Sequence, residues 1–209
     1  MTNIRSFFAL AATLLLFFQE SCKQNPIETV EVRDAEGRLE RYERRKSDYA
    51  KEGLYQHFRT DNSLMEEAHY QHDTLEGERK YFYPGGKIES IESYRKGVIE
   101  GKFQKFYESG AVQVEQTYVN GALEGLSTAY YPGGTVREKV MLRNNEEDGH
   151  FTEYYENGAL KTEGTYAPDE DGPLETGELK EYDEAGQLVR TADCVQGVCT
   201  TKWKKEEKK

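Results

Sequence analysis

Glycines stand at positions 53, 77, 101, 125 and 149, each step being 24 residues, and a second series follows nine residues behind at Gly86, Gly110, Gly134 and Gly158. Gly177 and Gly186 continue the pair after a step of 28. Asn62 holds the second-glycine place of the unit that starts at Gly53, and Gly37 in "DAEGRL" mirrors Gly186 in "DEAGQL". A fixed period of this size marks a chain built from one small unit stacked on copies of itself.

Other positions keep the register. Five residues after each first glycine lie Phe58, Phe82, Phe106, Tyr130, Tyr154 and Tyr182, and two after each second-glycine place lie Leu39, Leu64, Ile88, Val112, Val136, Leu160 and Leu188. Six further on come Tyr70, Tyr94, Tyr118, Leu142 and Tyr166. Each unit reads as a β-hairpin. One strand runs from the first glycine to its aromatic pair, as in Gly77 to Tyr83, and a second from Ile88 to Tyr94. In Tyr83-Pro84-Gly85-Gly86, Pro sets φ at the first corner and Gly86 is free to be left-handed, which suits a type I turn closed by a glycine bulge. Units are joined by His72-Asp73, Lys96-Gly97, Asn120-Gly121 and Asn144-Asn145, residues that tolerate positive φ and so make tight turns. Every connection is short, and the chain meanders.

Composition agrees with a thin, repetitive β structure. Hydrophobic residues make up 36%, while Tyr reaches 15 and Gly 19. The net charge of -11 repels phosphate and argues against nucleic acid as a partner.

The hallmark pattern Tyr-Tyr-x-x-Gly-x-Leu is present as Tyr154-Tyr155-Glu156-Asn157-Gly158-Ala159-Leu160, and Tyr-x-x-Gly as Tyr118-Val119-Asn120-Gly121. Over roughly residues 30 to 190 the layout resembles the MORN-repeat family (membrane occupation and recognition nexus) in its bacterial variant. That resemblance implies an all-β fold: an elongated, single-layer antiparallel sheet of stacked hairpins. The ladder of Phe82, Phe106, Tyr130 and Tyr154 is then expected to form the core, and the neighbouring tyrosines Tyr83, Tyr107, Tyr131 and Tyr155 to face the other way and bind a partner.

The N-terminus has its own logic. Arg5 precedes an apolar run from Phe7 to Phe18, shorter than the roughly 20 residues that span a bilayer, so an export signal is expected over residues 1–21. Ser21 directly before Cys22 resembles a bacterial lipoprotein signal, which implies a diacylglycerol on Cys22 and attachment to the outer membrane, on its periplasmic or cell-surface side. A plain cleaved signal and an uncleaved anchor are the alternatives. Residues 22–29 are expected to be a lipid-proximal linker and 30–193 the repeat sheet. Residues 38–51 suit either a long strand or a partly helical cap.

Residues 194–203 are expected to form a hairpin cap. With Gln196-Gly197 at the turn, Val195 faces Val198 and Cys194 faces Cys199, close enough to oxidise in an exported protein; free thiols and metal ligation are the alternatives. Residues 204–209 are expected to be a disordered charged tail. His69 and His72 are three apart, but on a strand end and a turn they point apart, and His57 and His150 are isolated. Asp169-Glu170-Asp171 lacks the spacing of a calcium loop. No metal, cofactor or catalytic residue is expected, and hence no enzyme. The expected function is a protein-binding scaffold of the envelope, its partner a protein or a glycan. The alternative is an inhibitor, since bacterial chains of this repeat type are often labelled antitoxins and an acidic surface suits a basic toxin.

Overall fold

The computed structural model describes residues 26–206. Cys22 and the proposed signal lie outside the described residues, as do residues 207–209. Within them the chain is one antiparallel sheet of eighteen strands. Strands pair antiparallel across each turn of the chain, from Ile27–Arg33 against Leu39–Arg45 to Leu188–Val195 against Val198–Lys204. The sheet is open, because the first and last strands each have one partner.

Three of the strands contain only two residues, Thr74–Leu75, Val98–Ile99 and Ala122–Leu123. Each is the start of a longer strand interrupted by one glutamate. Leu64–Gln71, for example, pairs with Thr74–Leu75 and then with Gly77–Phe82, so Glu76 stands out as a bulge. Its N–H still reaches the carbonyl of His69 at 3.0 Å. The glycine after each bulge has positive φ, as at Gly77 (86°) and Gly101 (99°), which explains the first glycine series.

The second series serves the inner turn. Gly86 N–H donates to Tyr83 O at 2.8 Å, Tyr83 N–H donates to Lys87 O at 2.9 Å, and Gly86 has φ 79°, the type I turn with a glycine bulge that the residues predict. Between units, both corner residues are left-handed: Lys96 and Gly97 have φ 51° and 77°, Asn120 and Gly121 51° and 87°. These turns stack, since Gly97 N–H donates to Leu75 O and Gly121 N–H to Ile99 O.

Of the two readings of residues 38–51, the strand is the one found: Leu39–Arg45, a turn, and the start of Lys51–Phe58. Two boundaries need correction. The sheet begins at Ile27, inside the expected linker. The last strand extends through Lys204, and Lys205 is tied by its N–H to Val189 O and by Nζ to Gln187 Oε1 at 2.7 Å.

The core is also not where the aromatic ladder suggested. Phe82, Phe106, Tyr130 and Tyr154 are only half-buried. The buried side chains include Tyr55, Ala68, Val140, Leu142, Phe151, Leu179, Ala192 and Cys194. These fall two, fifteen or seventeen residues after a first glycine, on the face opposite the ladder, because neighbours along a strand alternate faces. Rings two and seventeen residues after the glycine meet in pairs: Tyr55 with Tyr70, Phe103 with Tyr118, and Phe151 with Tyr166 at 4.4 Å.

Candidate interaction surface

Two rows of ties lace the long sides of the sheet. Along the inner turns, Tyr83 Oη donates to Phe106 O at 2.7 Å, Tyr107 Oη to Tyr130 O at 2.7 Å, Tyr131 Oη to Tyr154 O at 2.8 Å and Tyr155 Oη to Tyr182 O at 2.9 Å. In the unit before, Arg59 takes the same place and its guanidinium reaches Phe82 O. The four tyrosines chosen from the sequence as partner-binding residues therefore form one column, as the period requires. Their hydroxyls, however, are engaged within the sheet, and each ring is half-buried. Replacing them would cut ties between units.

Along the turns between units, the bulge glutamates do the equivalent work. Glu52 accepts from His72 N–H, Glu76 from Lys96 N–H at 2.7 Å, Glu100 from Asn120 N–H at 2.6 Å and Glu124 from Asn144 N–H at 3.1 Å. This column is absent from the site residues expected from the sequence, although a carboxylate stands directly before the glycine at 52, 76, 100, 124 and 148.

The two faces differ. One carries the apolar cluster around Phe151 and, in the first units, a cationic and aromatic group. Lys51 Nζ sits 5.1 Å from the Tyr42 ring, 4.7 Å from Tyr55 and 5.1 Å from Tyr70. Arg79 Nε meets the buried Glu66 carboxylate at 2.8 Å. Burial pushes the phenols of this face up, Tyr81 and Tyr166 each to about 12. The other face carries cross-strand polar pairs such as Gln56 with Glu67 and Gln104 with Glu115.

Cys194 and Cys199 are joined as a disulfide across the Gln196-Gly197 turn, with Val195 opposite Val198 as the spacing predicts. Glu175 Oε2 lies 3.1 Å from Cys199 Sγ. These three residues form one group with ligand-type atoms close together, but the disulfide leaves no thiolate to bind a cation. His69 is exposed at the end of a strand and His72 sits in the following turn with φ 54°; His72 Nδ1 lies 3.4 Å from Glu52. His57 is half-buried and His150 exposed. Asp169, Glu170 and Asp171 occupy an exposed loop closed by Gly172 N–H on Asp169 O.

No curated protein matches this sequence. Among solved structures, a mutant of Staphylococcus aureus TarM is similar at 15% identity with a TM-score of 0.33, over 60% of this chain and 21% of TarM. The chain thus spans about a fifth of that protein. A porin-like protein from Bacteroides uniformis is similar at 8% identity with a TM-score of 0.22, over 84% of this chain and 92% of that one. Neither says anything of what this chain does. The model of the MORN repeat variant matches four times, at residues 75–96, 99–120, 147–167 and 175–193. Those stretches coincide with hairpins whose glycine, tyrosine and glutamate columns have just been described, and the chain belongs to the MORN repeat variant family.

Proposed function

We propose that the chain is a non-enzymatic, protein-binding scaffold of the bacterial envelope, held at the outer membrane by a lipid on Cys22. Repeats of this family commonly serve as protein- or membrane-binding scaffolds. One observation carries the reading: both long sides of a single-layer sheet are tied internally, while the broad face opposite the buried core meets solvent. A repetitive face of that kind suits an extended partner. The negative charge disfavours nucleic acid and anionic lipid surfaces as the partner.

The test is a cross-linked capture of the chain from membranes of its own source, read by mass spectrometry. One dominant partner near one-to-one is expected; no enriched protein would overturn the scaffold reading. Toxicity of the captured partner when expressed alone would make the scaffold an inhibitor of antitoxin type. Cys22→Ser should move the chain from the membrane to the soluble fraction, and its retention would reject the lipid.

A further inference from the structure

Among the described residues, ten large hydrophobic side chains are exposed, and six of them form a broken row on one face: Val98, Val119, Leu126 and Met141 on four adjacent strands, and Val195 and Val198 beyond three strands that carry His150, Thr165 and Glu178 on that face. The six are 38% to 71% exposed. Register places them on one face. Leu126 is directly opposite Met141, and Val195 opposite Val198. Val140 and Leu142 flank Met141 and are buried on the core face, as is Cys194 beside Val195, so Met141 and Val195 point the other way. Tyr118, next to Val119, packs on Phe103 of the core face, and Val98 pairs with Arg95 beside the core-facing Tyr94 and Ile99. The row runs beside the turns between units, and those turns are held in line by their stacked hydrogen bonds.

We infer that this row is a docking surface for an amphipathic, basic helix of a partner protein, an inference that rests on the scaffold reading above. Charge selects the occupant. Residues 100–184 contain 19 Asp and Glu against 7 Lys and Arg. Glu100, Glu124 and Glu146 border the row, and the first two are held in place by turn amides. An apolar strip with an acidic border attracts cations and repels an anionic bilayer. Spacing selects the shape. Successive units recur every two strands, about 9.6 Å, close to the rise of seven helical residues, about 10.5 Å. A helix with one apolar residue per heptad would place each near a new unit, meeting apolar side chains in the units of Gly77, Gly101, Gly125 and Gly177 and polar His150 and Thr165 in the unit of Gly149. From Val98 to the last strand is about 38 Å, the length of roughly 25 helical residues.

The probe is a synthetic 25-residue helical peptide with leucine at every seventh position and lysines flanking that stripe, titrated calorimetrically into the purified chain. Saturable one-to-one binding is expected. Leu126→Glu with Met141→Glu should weaken it at least tenfold, and so should scrambling the peptide at constant charge. Val98→Glu with Val119→Glu provides a second exposed pair if circular dichroism shows the first variant misfolded. Equal affinity for the scrambled peptide, equal affinity of a folded variant, or no binding at all would overturn the inference. Membrane capture separates the two readings: a partner captured equally by wild type and variant rejects this face and keeps the scaffold. A partner captured by neither rejects both.

Discussion

The hydroxyl of Tyr131 donates to the main-chain carbonyl of Tyr154, 2.8 Å away and 23 residues on. The bond joins the inner turn of one hairpin to the first strand of the next. A stacked sheet of this kind is stable only through such contacts between neighbours. Tyr131→Phe keeps the ring and removes the donor, so it should cost about 1 kcal/mol. Tyr83→Phe, two units away, should add a similar amount independently. Urea unfolding of the single and double variants checks this. A double variant with an unchanged midpoint would show that the ladder is incidental.

Gly164 stands opposite Phe151 in the register. A Cβ at Gly164 would lie 2.7 Å from Phe151 Cε1 and 2.9 Å from Leu179 Cδ1, so the ring fills the space that a side chain would take. Gly164→Ala should therefore destabilise by overpacking, by about 1–3 kcal/mol. Phe151→Ala, at a residue 3% exposed, should cost about 3–5 kcal/mol. If Gly164→Ala proves neutral or stabilising, the ring has room to retreat and this packing account fails.

These two sites show why some of the fold was legible in the sequence and some was not. Turns demand particular residues, so Pro84, Gly86 and the Asn120-Gly121 pair are readable one position at a time. The disulfide followed from the same turn logic at Gln196-Gly197. The core obeys a different rule, in which volume is shared among neighbours. The position two after the glycine holds Tyr55, Arg79, Phe103, Ser127, Phe151 and Leu179, which look unrelated in a list. Phe151 is large because Gly164 opposite is small. Ser127, a small residue at the same place, is buried beside Val140, its partner in the register. The more regular ring column at Phe82, Phe106 and Tyr130 drew the eye, although its regularity belongs to the half-buried face. The tyrosines beside it were recognisable as a column, but nothing in one sequence says that their hydroxyls reach a carbonyl one unit away.

The Cys194–Cys199 disulfide closes a very short loop at the end of the sheet. The chain-entropy account gives a bond of this span about 2 kcal/mol, with the effect confined to the last hairpin. Cys194→Ser with Cys199→Ser should raise amide exchange in Leu188–Val195 and Val198–Lys204 while leaving Gly101–Phe106 protected. Exchange that rises evenly along the chain would mean that the whole sheet unfolds as one unit and that the disulfide is not a local staple.

Acid should loosen the sheet through two glutamates. Lys102 holds the Glu115 carboxyl below its ordinary value of 4.5 against the opposing effect of burial, helped by Tyr130 and Gln104, whose donor groups lie 3.0 Å and 2.8 Å away. The Tyr182 hydroxyl, at 2.7 Å, does the same for Glu163, with Lys180 assisting. Because the folded chain favours the ionised form, the unfolded chain takes up protons first as pH falls. The stability these groups contribute is therefore complete above pH 4.5 and is lost as pH drops through the depressed folded values. Glu147 works in the opposite direction, since burial and then Glu138 raise its value, and its contribution is lost as pH rises. Glu115→Gln, which cannot titrate, should lose less stability than wild type between pH 5 and pH 3, as read from urea midpoints at each pH. Parallel losses in the two proteins would show that Glu115 is not linked to folding, and that the acid sensitivity lies elsewhere on the surface.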